Sequence, residues 1–148
     1  YPQIMAIADR KSKLEMINEK IGMERGRYYW NRRKMADSGV LISCGTDLPL
    51  LIDDIPESIY HACGGQFPEG GEPFNQENTL TVEEVMRAWT YGGQYNLYRE
   101  KELGTLEAGK KADIAVLNGN VFTASMQNMR AVKVCLTLVE GKVVYTSL

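Results

Sequence analysis

The chain has 148 residues, 44% of them hydrophobic, a formal net charge of -2 and a pI near 5.5. That is about one domain with ordinary apolar content for a packed core, and it lacks the basic footprint that nucleic acid or an anionic membrane surface would require. No apolar run approaches the roughly 20 residues needed to cross a bilayer, and no charged-then-apolar leader opens the chain, so a soluble protein is expected. Cys44, Cys63 and Cys135 are odd in number and widely spaced. They fit neither a disulfide framework nor a paired-thiolate zinc site, and a reducing cytoplasm suits them best. The chain opens at Tyr1 and runs directly into Pro2-Gln3-Ile4-Met5; so abrupt a start points to a piece of a longer protein.

Apolar residues recur at Ile4, Ile7, Leu14, Ile17 and Ile21, mostly in steps of three and four, with Asp9, Lys13, Glu19 and Lys20 between them. This predicts an amphipathic helix ending near Gly22. Residues 23–31 read as irregular, 32–38 as a short helix stopped by Gly39. Val40-Leu41-Ile42-Ser43-Cys44 is a short apolar run bounded by glycines, the pattern of a strand buried on both faces. Residues 48–78 hold four of the five prolines and the pairs Gly64-Gly65 and Gly70-Gly71. They read as a long loop with a short helix near Pro56–Cys63, and long loops of this kind are often functional.

Thr81 followed by Glu84 forms a capping box, with Leu80 placed to staple onto Val85. Val82, Val85, Met86 and Trp89 make the buried stripe of the helix that follows. Gly92-Gly93 weakens its continuation toward Tyr95 and Tyr98, because an interior glycine costs about 1 kcal/mol relative to alanine. Beyond Gly104 the pattern turns strand-like. Ile114–Leu117 and the alternating Val132–Val139 are strands, and Glu140-Gly141 turns the chain into Lys142–Tyr145 as a hairpin. The division therefore falls near Leu103, with residues 1–102 in one unit and 103–148 in another.

An aspartate placed just after a buried strand suits a barrel enzyme, whose strand ends converge on one pocket. Asp47, in Cys44-Gly45-Thr46-Asp47, has that place; taken alone, Gly-Thr-Asp is as readily an ordinary turn. The order strand, Gly-Thr-Asp-x-Pro, loop, Leu-Thr-Val-Glu-Glu-Val, then Leu103-Gly104-Thr105-Leu106-Glu107-Ala108-Gly109-Lys110-Lys111-Ala112-Asp113-Ile114-Ala115-Val116-Leu117 resembles the C-terminal part of the amidohydrolase superfamily. More narrowly it resembles amidohydrolase family 3, which includes N-substituted formamide deformylases and proteins labelled exoenzyme regulatory proteins. The resemblance covers nearly the whole chain and is strongest over 39–49 and 81–145. Thr46 stands where the family often has serine, and Gly64, Gly65 and Gln66 stand where it frequently has an arginine, which weakens any carry-over of substrate preference.

The resemblance implies an α/β fold: the C-terminal part of a TIM-like (β/α)8 barrel in 1–102, followed by strands of a small β-sandwich in 103–148. It also implies hydrolysis of carbon-nitrogen, amide-like bonds of a small-molecule substrate by a metal-activated water. Asp47 would be both the catalytic residue and a metal ligand, taking a proton from that water and returning it to the leaving amine. The metal would be divalent, with zinc expected, and would be bound only in the full-length protein. The single histidine, His61, cannot complete such a site, because a catalytic zinc normally takes three protein ligands. The isolated chain is therefore expected to be inactive. A non-catalytic regulatory or assembly module, or one half of a split enzyme, is the alternative.

Other features read more plainly. His61 suits a surface or packing position, and Cys63 two residues on does not face it. Cys44 reads as a core residue beside the strand end, with a pocket-lining role left open. The glycine pairs lack phosphate-loop spacing and context, so their loop reads as an active-site lid. Lys110-Lys111 reads as a solvated turn, and Asp113 as an anchor for backbone amides around it. An incomplete barrel leaves apolar faces and sheet edges open, so homo-oligomerisation is expected.

Overall fold

The computed structural model describes residues 9–45 and 55–147. Helix α1, Arg10–Ile21, starts where Asp9 accepts hydrogen bonds from the Ser12 amide at 3.0 Å and its hydroxyl at 2.8 Å, and it ends at Gly22 with φ +74°. The earlier part of the predicted helix lies outside the described residues. Ile17 is buried as expected, but so is Lys13, which was assigned to the polar face; desolvation pushes its pKa down. A short α2, Met23–Gly26, occupies the stretch expected to be irregular, and α3, Arg32–Asp37, is capped by Asn31.

The strand expected at Val40–Cys44 is not formed among the described residues. A strand requires a ladder partner, and the three described strands pair only with one another. The segment instead bonds to helices: the Val40 amide donates to the Met35 carbonyl at 3.3 Å and the Cys44 amide to the Ala88 carbonyl at 3.1 Å.

Helix α4, Ile55–Gly64, buries Ile59, Tyr60, His61 and Ala62. Residues 65–78 then fold back against α1 and α2. Phe67 is fully buried with Leu14 and Phe74 against it, Asn75 Nδ2 donates to the Gly26 carbonyl at 2.7 Å, and Asn78 Nδ2 donates to the Arg27 carbonyl at 2.7 Å.

Thr81 and Glu84 form the predicted capping box, and Leu80 and Val85 are buried together. The helix they start runs as α5, Val82–Arg87, then a π-helical turn, Ala88–Gly92, then α6, Gly93–Asn96. Thus the glycine pair does not end it. Glu84 also receives Arg33 in a two-bond ion pair at 2.6 and 2.7 Å, joining α3 to the start of α5. Bonded first by Arg33 and also by the Thr81 amide, its carboxyl is held down at about 2 from an ordinary 4.5. A depressed carboxyl stabilises the fold above its unfolded pKa and loses that contribution as pH falls through the folded one. Glu84→Gln keeps a capping-box side chain but removes the charge. It is expected to be less stable than wild type at pH 7, with the gap closing between about pH 4.5 and 2 in urea unfolding series.

The C-terminal part forms a three-stranded antiparallel sheet in the order β1-β2-β3, with β1 at Ile114–Leu117, β2 at Val134–Val139 and β3 at Lys142–Thr146. Glu140 and Gly141 both adopt positive φ, +49° and +78°, the twist that a two-residue hairpin turn demands. A short α7, Met126–Met129, lies between β1 and β2. Val121, Met129 and Val132 share one core with Ile59, Leu80 and Val85, so packing crosses from the helical to the sheet part. No helix among the described residues is long and apolar enough to cross a membrane.

Candidate functional site

Asp47 lies outside the described residues, so its position is not placed. What is placed is the backbone leading to it. Gly92 sits directly against this stretch: a Cβ built on it would come 2.3 Å from the Ile42 carbonyl oxygen. Asn96 Nδ2 donates to Ser43 Oγ at 2.5 Å, and Ala88 accepts from the Cys44 amide. The π-helical turn thus supplies the surface on which residues 42–44 rest. Such turns often accompany functional segments.

Arg32 is half-buried here, and its charge is felt by both Cys44 and Cys63. Burial pushes the Cys44 thiol up and the Cys63 thiol to about 12, against the opposing pull of Arg32. Both sulfurs are therefore held as thiols at neutral pH, unsuited to nucleophilic attack, which the thiolate performs. Cys44 is half-buried at the segment end rather than the core residue expected.

His61 has a packing position, fully buried, with Nδ1 2.8 Å from the Gln66 carbonyl. Among the described residues no group of three or more His, Cys, Asp or Glu side chains could hold a metal ion. The residues that can be described do not by themselves fit a metal centre.

The segment 103–117 behaves differently from its expected role as a closing strand alone. With Met86, Trp89 and Phe122, its residues Leu103, Gly104 and Ile114 line a cavity of about 770 Å³ between the α5 rod and β1. Lys110 is not solvated: its Nζ donates to the Glu100 carbonyl at 2.7 Å and to Thr105 Oγ1 at 2.5 Å. Lys111 pairs with Glu140 at 2.6 Å. Asp113 does anchor a backbone amide, that of Glu140 at 2.8 Å, on the neighbouring hairpin rather than in its own turn. Sequence reading missed Arg130 and Glu57, joined at 2.6 Å. The one available signal was the spacing of four between Glu57 and His61 on a helix.

Comparison with known proteins follows the same stretches. The chain matches the amidohydrolase family over residues 2–145. A Bacillus subtilis (strain 168) relative assigned by its name to the amidohydrolases, YtcJ, is 24% identical over 136 residues, 90% of this chain and 26% of its own length. The N-substituted formamide deformylase of Arthrobacter pascens is 28% identical over 113 residues, 76% of this chain and 21% of its own. In fold, the amidohydrolase of Thermotoga maritima MSB8 superposes with a TM-score of 0.54 at 22% identity, over 77% of this chain and 25% of that one. This chain thus spans about a quarter of the length of the relatives it matches. The match over nearly its full length, together with the shared mixed helix and strand arrangement, makes the chain a member of the amidohydrolase family.

Proposed function

We propose that this chain forms the C-terminal portion of a metal-dependent hydrolase that cleaves carbon-nitrogen bonds in amide-like, non-peptide small molecules. The observation that carries this reading is the family match over residues 2–145; the relative named N-substituted formamide deformylase supports the amide-like substrate class. Residues 1–102 contribute the end of a (β/α)8 barrel and 103–148 part of an accessory β-sandwich. Asp47 is the catalytic carboxylate: it accepts the proton of the attacking water, returns it to the leaving amine nitrogen, and is one ligand of a divalent metal, with zinc expected. When bound, such a metal supplies a water whose pKa is lowered toward about 7. His61 is the single histidine of this chain and lies fully buried in no cluster of three or more potential ligands among the described residues, so the imidazole ligands come from outside this chain, which on its own is inactive and works in the cytoplasm. The test is hydrolysis of N-substituted formamides by the intact protein with and without the Asp47→Asn substitution.

A second reading, assembly with another copy, is favoured by the sheet. All of β3 is exposed, with Val143 at 59%, Val144 at 61% and Tyr145 at 50%, and among the described residues it pairs on one side only. An apolar edge strand with a single lysine invites strand addition. Light scattering is expected to give a mass above the 16.6 kDa of one chain at raised concentration, and Val144→Lys to return it toward that value. A wild-type protein that stays monomeric throughout would remove this reading.

A further inference from the structure

The imidazole of His61 is fully enclosed, yet among the described residues only one of its nitrogens has a hydrogen-bond partner. Nδ1 lies 2.8 Å from the Gln66 carbonyl oxygen, which can only accept, so Nδ1 carries the proton and Nε2 presents a lone pair. Nε2 faces Glu57 Oε1, one helical turn back on α4, at 3.8 Å. That same oxygen holds Arg130 Nη2 at 2.6 Å. Arg130 in turn donates from Nη1 to the Pro68 carbonyl at 2.9 Å and lies over the Tyr60 ring. His61 and Arg130 therefore grip the two ends of the short stretch 66–68, and both address one carboxylate oxygen.

We propose that Glu57, His61 and Arg130 form a pH-operated latch on residues 65–70. With the imidazole neutral, Glu57 holds Arg130 against the Pro68 carbonyl; with it protonated, Glu57 turns to Nε2 and Arg130 releases that carbonyl. A protonated Nε2 needs an acceptor in a site closed to water, because a buried unpaired charge is strongly disfavoured. Glu57 is the acceptor within reach, and a spacing of four on a helix suits the pair. Tyr60 meets the ring edge-on at 5.1 Å. Among the described residues, the charges acting on the ring are Glu57 from α4 and Arg130 from the end of α7. Burial, and to a lesser degree Arg130, hold the imidazole below its ordinary 6.5, so the latch is closed at neutral pH and opens in acid.

An NMR titration of the intact protein, with the His61 ring assigned by its loss in His61→Gln, follows this imidazole. Its midpoint is expected below 6.5, and the exchange rates of the Phe67, Glu69 and Gly70 amides, corrected for intrinsic pH dependence, rise with the same midpoint. Arg130→Gln removes the cation that opposes protonation. The His61 midpoint then moves up, and exchange over 67–70 becomes fast at every pH because Pro68 has lost its donor. Coincident midpoints in wild type support the latch even if that variant fails to fold. Three results overturn it: a ring that stays neutral until the whole chain unfolds, loop exchange that ignores the ring's midpoint, or a wild-type pH response that persists in Arg130→Gln.

Discussion

Replacing Gly92 by alanine is expected to destabilise the fold by about 1–3 kcal/mol, the usual cost of forcing extra atoms into a packed site. Gly92 is buried in the π-helical turn, and a methyl there would lie 2.3 Å from the Ile42 carbonyl oxygen, 3.2 Å from its carbon and 3.3 Å from the Ser43 Cα. All three obstacles are backbone, so no side-chain rotation relieves the clash. Either the α5 rod or residues 42–44 must move, and with them the bond from the Cys44 amide to Ala88. Gly93 is the control. It begins α6, and a Cβ there would meet nothing within 4 Å, so Gly93→Ala is expected to be neutral or stabilising by up to about 1 kcal/mol. Urea unfolding of the two variants separates a packing requirement from simple helix propensity. Equal effects at the two sites would refute the close approach.

The same pair shows how far the chain could be read without coordinates. Gly92 and Gly93 look identical as helix weakeners in sequence, and only the backbone lying against one of them makes it indispensable. Features closed within a few residues were legible: the Thr81–Glu84 box, the Gly22 end of α1, the Glu140-Gly141 hairpin and the Gly39 stop all rest on local hydrogen bonds or local φ values. Features set by distant partners were not. Lys110 reads as a solvated turn residue because its acceptors, Glu100 and Thr105, come near only when the loop closes. The apolar run at Val40–Cys44 has the composition of a buried strand, but composition supplies no neighbouring strand, and the described chain offers helix backbone instead. Arg33 and Arg130 carry no periodic signal, yet each meets a carboxylate more than fifty residues away.

The candidate site divides along the same line. The stretch 104–117 points to the family because it is specific as a string, with the capped helix at 81 as supporting context, and the family match covers them both. The role proposed for Asp47 would depend on side chains converging from other strands, which no local pattern within this chain encodes. His61 illustrates the converse: a lone histidine, the residue type most often enlisted for zinc, is here fully enclosed in the core and turned toward a loop carbonyl.

For Asp47 the expected effect is the largest of all. Asparagine preserves the shape of aspartate and removes both its charge and its ability to take a proton. Loss of general-base action alone costs about 10²- to 10⁴-fold in rate, and loss of an anionic ligand would weaken metal retention besides. The decisive measurement is therefore kcat/KM for an N-substituted formamide in the intact protein, with metal saturating, for wild type and Asp47→Asn. A fall of at least about 100-fold, with the folded state retained, is the predicted result; turnover close to wild type would contradict the assignment of Asp47 to the chemistry.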